Sequence, residues 1–127
     1  MPYKQEIEMG GIQQFEDIRA WQEARILVRD VYTLTGSGRF AKDFGLRDQI
    51  QRAAVSVMTN IAEGFGGRSN PAFRQFLTYA QRSALEVQSL LYVAKDVQYI
   101  TDEQFDRLYQ HVAKTNALIG ALKQSLR

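Results

Sequence analysis

LRDQIQRAAVSVMTNIAEGFGG, residues 46–67, is the stretch whose reading decides the fold. Its apolar residues Leu46, Ile50, Ala53, Ala54, Val57 and Ile61 recur at steps of three and four, which lays them along one face of a helix. Arg47, Gln51 and Thr59 take the opposite face. Ser56 and Asn60 fall beside the apolar stripe. Asn60 stands seven residues after Ala53, so its amide points inward near the helix end and needs partners there. The run stops on Gly64, Gly66 and Gly67, which reads as a left-handed cap. Nothing in it is a reaction centre.

Outward from this helix, the chain divides into three more. Residues 1–14 (MPYKQEIEMGGIQQ) hold no sustained period, include Pro2 and the pair Gly10-Gly11, and read as a flexible N-terminal arm. A first helix over about 17–35 follows, with Trp21, Val28 and Thr35 spaced by seven and two further apolar rows beside them. That face is wider than a coiled-coil seam and suits a bundle. The stretch 35–45 (TGSGRFAKDFG) carries three glycines and a serine and reads as a loop. With no GxxxxGK[ST] pattern and no preceding strand, it is not a phosphate loop.

The quoted helix covers about 45–64, and the next begins at Asn70-Pro71, with asparagine as N-cap and proline at the first helical position. This third helix runs to about residue 98, and three rows spaced by seven already give it a full core face. Leu85, Tyr92, Val93 and Tyr99 are left over. A helix that is apolar nearly all round is touched by more than one neighbour, so its second half is expected to meet another subunit, with Leu85, Tyr92 and Val93 in the interface. Thr101–Gln104 (TDEQ) is a capping box that opens a fourth helix over about 102–125. There Phe105, Val112, Ile119 and Leu126 alternate with Leu108, Thr115 and Leu122, beside a row of small residues, Ala113, Ala117 and Ala121. The fold expected is all-α: an antiparallel up-down-up-down four-helix bundle over residues 15–127, assembled as a homo-oligomer.

Composition narrows the function. The 127 residues suit one domain, and no apolar run approaches the roughly 18 residues of a membrane span, so the expected protein is free of membranes. Cysteine is absent, which excludes disulfides and thiolate metal sites, and no signal peptide precedes the domain; the cytoplasm is the expected compartment. The net charge of +2 hides an uneven spread: residues 1–18 carry −3, residues 19–95 carry +5, and residues 96–127 balance. From Arg39 to Arg82, six of seven basic residues are arginine. Such a surface attracts phosphate or serves subunit contacts. Arg47, Arg52, Arg68, Arg74 and Arg82 are the candidate contacts to DNA, RNA or a protein partner. No base-reading motif accompanies them, so nucleic-acid binding would be electrostatic and of low sequence specificity.

Catalytic classes fall away on spacing. Di-iron bundle enzymes need Glu-x-x-His pairs, whereas His111, the single histidine, has Leu108 three residues before it. Nothing near His111 makes a nucleophile-base pair, and it reads as a surface or boundary residue. Glu63 and Glu86 are the remaining acid-base candidates, but Glu63 is better used at a helix end or paired with an arginine such as Arg52. The expectation is a non-enzyme with no catalytic residue, metal, cofactor or small-molecule substrate.

The spaced residues Gln49, Arg52, Ala53, Ser56, Asn60, Ile61, Ala62, Glu63 and Gly64 resemble the central signature of a bacterial four-helix-bundle family encoded in intervening sequences of large-subunit ribosomal RNA genes and formerly labelled ribosomal protein. Phe15, Asp17, Trp21 and Gln22 match it as well, as do Phe76, Leu77, Ala80, Ser83 and Glu86. The resemblance spans roughly residues 15–120. Relatives often carry proline shortly after the first serine, where this chain has Met58, and glycine before the later one, where it has Arg82. More distantly, the chain is similar to the accessory variability determinant of diversity-generating retroelements. The resemblance implies a homo-oligomer, as a pentamer, with nucleic-acid binding confined to the retroelement relatives.

Overall fold

The computed structural model describes residues 12–67 and 69–126, so Arg68 and residues 1–11 of the expected arm lie outside the described residues. Among the described residues there is no strand. A 3-10 turn at Phe15–Asp17 leads into α1 (Arg19–Thr35), α2 (Gly38–Lys42), α3 (Phe44–Phe65), α4 (Asn70–Asp96) and α5 (Asp102–Ser125). Four of the five are long, as the periodicity predicts.

Helix α1 begins at Arg19 rather than at Asp17. The Asp17 carboxylate accepts from the backbone N–H groups of Gln13 and Gln14 at 3.2 and 3.3 Å, which closes a separate turn ahead of the helix. Phe15 then packs edge-on against Trp21, with ring centroids 5.1 Å apart. The stretch 35–45 is not wholly loop. Phe40 is buried, and α2 is the helical turn that folds its ring under the chain, entered through Gly38 at φ 65. The Asp43 carboxylate caps α3 by accepting from Leu46 N–H at 3.1 Å.

The glycines after α3 act differently from the expected left-handed cap. Gly66 has φ −75, and its N–H returns to the Ala62 carbonyl at 3.1 Å. The left-handed cap sits instead at the end of α4 on a residue that is not glycine: Gln98 adopts φ 64. Its N–H reaches the Lys95 carbonyl at 3.0 Å, and Tyr99 N–H reaches that of Ala94 at 2.9 Å, a Schellman pair. Gly64 is needed for space, since a Cβ there would stand 2.8 Å from both Phe73 Cδ1 and Phe76 Cβ. The N-cap of α4 is Ser69, whose Oγ accepts from Ala72 N–H at 3.2 Å; Asn70 is the first helical residue and is buried. The capping box at Thr101 and Gln104 forms as read.

The core draws on all four long helices: Ala24, Leu27 and Val31 of α1, Ile50, Val57 and Ile61 of α3, Leu77, Val87 and Leu91 of α4, and Leu108, Val112 and Ile119 of α5. Each large aliphatic side chain so buried contributes about 1.5–3 kcal/mol. One end is clasped shut. Arg39 donates to the Gln98 carbonyl at 2.9 Å and lies over the Tyr99 ring, and the Tyr99 hydroxyl donates to Asp43 at 2.9 Å. Tyr99, expected among the left-over apolar residues, therefore closes the structure. Its bond to Asp43 pushes the phenol above its ordinary pKa.

Candidate functional site

The residues of the central signature meet at the seam between α3 and α4. Asn60 Nδ2 donates to the Ser56 carbonyl at 2.8 Å and to Ser56 Oγ at 2.9 Å, which answers the inward amide. Ser83 Oγ of α4 donates to Ser56 Oγ at 2.8 Å. Two turns along α3, Gln49 Nε2 donates to Glu86 at 3.3 Å. The bonds are neutral at one end of the seam and charge-assisted at the other, and they hold the register of the two helices. An open groove of about 610 Å³ runs beside them, with Tyr32, Arg52, Ser56, Thr59, Ser83 and Glu86 on its walls.

The candidate arginines separate by what they already hold. Arg47 pairs with Asp48 at 3.0 Å, donates to the Ala41 carbonyl at 3.0 Å and lies over the Phe44 ring. Arg74 donates to the Leu126 carbonyl at 2.7 Å and ties the end of α5 to the start of α4. Arg52 and Arg82 are exposed and hold no hydrogen bond or ion pair among the described residues. Arg68 is outside them. Glu63 is exposed and equally unpartnered; the expected pairing with Arg52 does not form, because eleven residues of helix separate them by about 16 Å along the axis. By the same geometry Glu63 lies about 21 Å along α3 from Gln49, the partner of Glu86, so the two carboxylates do not share a site.

Of the apolar residues assigned to a subunit contact, Leu85 is 58% exposed, Tyr92 49% and Val93 44%, and Val97 just beyond α4 adds 44%. Tyr92 is partly used within the chain, its ring 4.8 Å from that of Phe105 and 5.8 Å from that of Tyr109. On α5, Ala117 and Ala121 face outward, and no helix among the described residues covers them.

Sequence reasoning missed a second polar cluster, between α1 and α5. His111 Nε2 lies 2.9 Å from Glu23 Oε1, Lys114 Nζ is 3.7 Å from the same oxygen, and His111 Nδ1 is 4.0 Å from Asp30. The carboxylate accepts, so Nε2 carries a proton. That hydrogen bond holds the Glu23 carboxyl below its ordinary pKa, with Lys114 adding to it and burial opposing. Its signal was faint: partners 88 residues apart leave no local pattern. No group of three His, Cys, Asp or Glu among the described residues is placed to hold a metal, and no helix among them is long and apolar enough to cross a membrane.

A family model described as 23S rRNA-intervening sequence protein matches residues 16–121. None of the curated proteins matches the chain. Among solved structures, the crystal structure of a protein of unknown function from the S23 ribosomal protein family of Bacteroides thetaiotaomicron is similar, with a TM-score of 0.76. The two are 22% identical, over 83% of this chain and 98% of that one, a likeness of fold.

Proposed function

The chain belongs to the 23S rRNA-intervening sequence protein family, and from that premise we propose that it works without catalysis, as a homo-oligomeric scaffold joined through the outer face of α3 and α4. The observation that carries this reading is the exposure of Leu85, Val93 and Val97 on and just beyond one helix, a concentration of apolar surface that a lone chain leaves wet. In this reading the four long helices form an antiparallel up-down-up-down bundle. The reversed order of the pairs Gly64 with Phe73, Ser56 with Ser83 and Gln49 with Glu86 supports that arrangement for α3 and α4. The pentamer that the resemblance implies is the assembly proposed, and a chain without cysteine suits the cytoplasm.

Electrostatic binding of DNA or RNA is the second reading. It is favoured by Arg52 and Arg82, the two candidate arginines that are described and hold no internal partner. Against it, Arg47 and Arg74 are engaged, and Asp48 and Glu86 stand on the same groove as Arg52. Charges of both signs suit a protein surface better than a phosphate backbone.

Light scattering at micromolar concentration tests the first reading: a particle several times 14.5 kDa supports it, and a stable 14.5 kDa particle overturns it. Anisotropy titration of the same sample with duplex DNA, RNA and single strands at two salt concentrations tests the second. Binding that weakens steeply with salt would support it, and no binding at low salt removes it.

A further inference from the structure

The fold accounts for nearly every residue that carries the family resemblance. Phe15 and Asp17 build the entry turn with Trp21, and Gln22 Nε2 donates to the Glu16 carbonyl at 2.8 Å. Ala53, Ile61, Leu77 and Ala80 are core. Gly64 makes room for Phe73 and Phe76, Ser56, Asn60 and Ser83 bond one another, and Gln49 bonds Glu86. Ala62 is half-buried against the core. Two of the charged side chains in that set hold no hydrogen bond or ion pair among the described residues: Arg52 and Glu63.

Both are on α3, eleven residues apart. At 100° per residue that separation returns to within about 20° of the same direction, so they stand on one solvent-facing stripe, three turns apart, with opposite charges. Such a stripe offers a cation and an anion to neighbouring copies, as the head-to-tail contact of a ring requires. A pair that the length of one helix forbids within a chain is allowed between two chains.

The groove around Arg52 has a matching deficit. Ser56 and Ser83 carry two hydroxyl protons but share one hydrogen bond, and Ser56 Oγ already accepts from Asn60. One hydroxyl proton is thus left without an acceptor among the described residues, beside a guanidinium that is unpaired among them. Asp48 and Glu86 on the same groove are already held by Arg47 and Gln49, which leaves these donors open to an oxygen anion from outside.

We propose that this anion is the Glu63 carboxylate of a second copy of the chain, bound by Arg52 and the spare serine hydroxyl at the contact between copies. The inference rests on the assembly proposed above and names the charged pair that sets its register. The pair supplies the specificity of that contact.

Arg52→Glu, Glu63→Arg and the double exchange Arg52→Glu/Glu63→Arg test it by sedimentation velocity across a dilution series, with circular dichroism reporting the fold. Both substituted positions are exposed and helical. Each single variant is expected to self-associate at least about tenfold more weakly, because reversal sets like charges together. The double exchange restores the opposite pair and is expected to recover assembly. Singles that associate as tightly as the parent, while the parent is oligomeric, overturn this inference and leave the scaffold reading standing. A double variant as weak as the singles also overturns it. A monomeric parent overturns the scaffold reading itself.

Discussion

Two seams join the long helices by different means. Between α3 and α4 the register is held by the Ser83 hydroxyl on Ser56, which Asn60 backs from within α3, and by Gln49 on Glu86, together with a glycine that lets a phenylalanine-bearing helix lie against bare backbone. Between α1 and α5 it is held by ionisable groups, His111 and Lys114 around Glu23. Steric fit and amide or hydroxyl bonds do not titrate in the ordinary range. A carboxyl held by a histidine and a lysine does. The second seam therefore answers to acid through the Glu23 carboxyl, whose pKa the histidine bond lowers.

The contrast breaks most readily at Gly64. Gly64→Ala places a methyl group 2.8 Å from Phe73 Cδ1 and Phe76 Cβ, in a region where Phe73 is fully buried. The expected cost is about 1–3 kcal/mol, read as a fall of several degrees in the thermal midpoint. A variant that melts with the parent would show that α4 shifts freely and that no fitted seam exists. Ser83→Ala removes one bond of the neutral network, and urea denaturation is expected to show a loss of about 1 kcal/mol that is the same at pH 7 and pH 5.

Glu23→Gln sharpens the other side. A carboxyl whose folded pKa is depressed stabilises above the ordinary carboxylate range and loses that stabilisation as pH falls through its lowered value. At neutral pH the variant is expected to be about 0.5–1 kcal/mol less stable than the parent, and the gap should close on acidification. A gap independent of pH would mean that the α1–α5 seam is steric after all.

The four long helices were legible in the sequence because apolar spacing is a local signal repeated many times, as in Phe105, Leu108, Val112, Thr115 and Ile119, all buried as read. The capping box at Thr101 was legible for the same reason. The entry turn was not, since Asp17 reads equally as a helix start or as a turn acceptor until its partners are known. Phe40 in a glycine-rich stretch gave no period from which α2 could be seen. The left-handed residue was sought among glycines, where the conformation is free, and was found at Gln98, where the Schellman bonds and the Arg39 contact outweigh its cost. Of the candidate site, the family signature points to Gln49, Ser56, Asn60 and Ser83, which bond one to the next along α3 or across to α4, but which arginines are already occupied depends on contacts 6 and 52 residues away. A spacing rule does not carry that information.

The clasp at the Gln98 end has a kinetic consequence. It links residues 56 and 59 positions apart, joining the connection between α1 and α3 to the connection between α4 and α5. Neither connection can open while the other stays shut, so amide hydrogens in both should exchange with solvent as one cooperative unit, while those around Gly66 and Gly67 at the opposite end exchange on their own schedule.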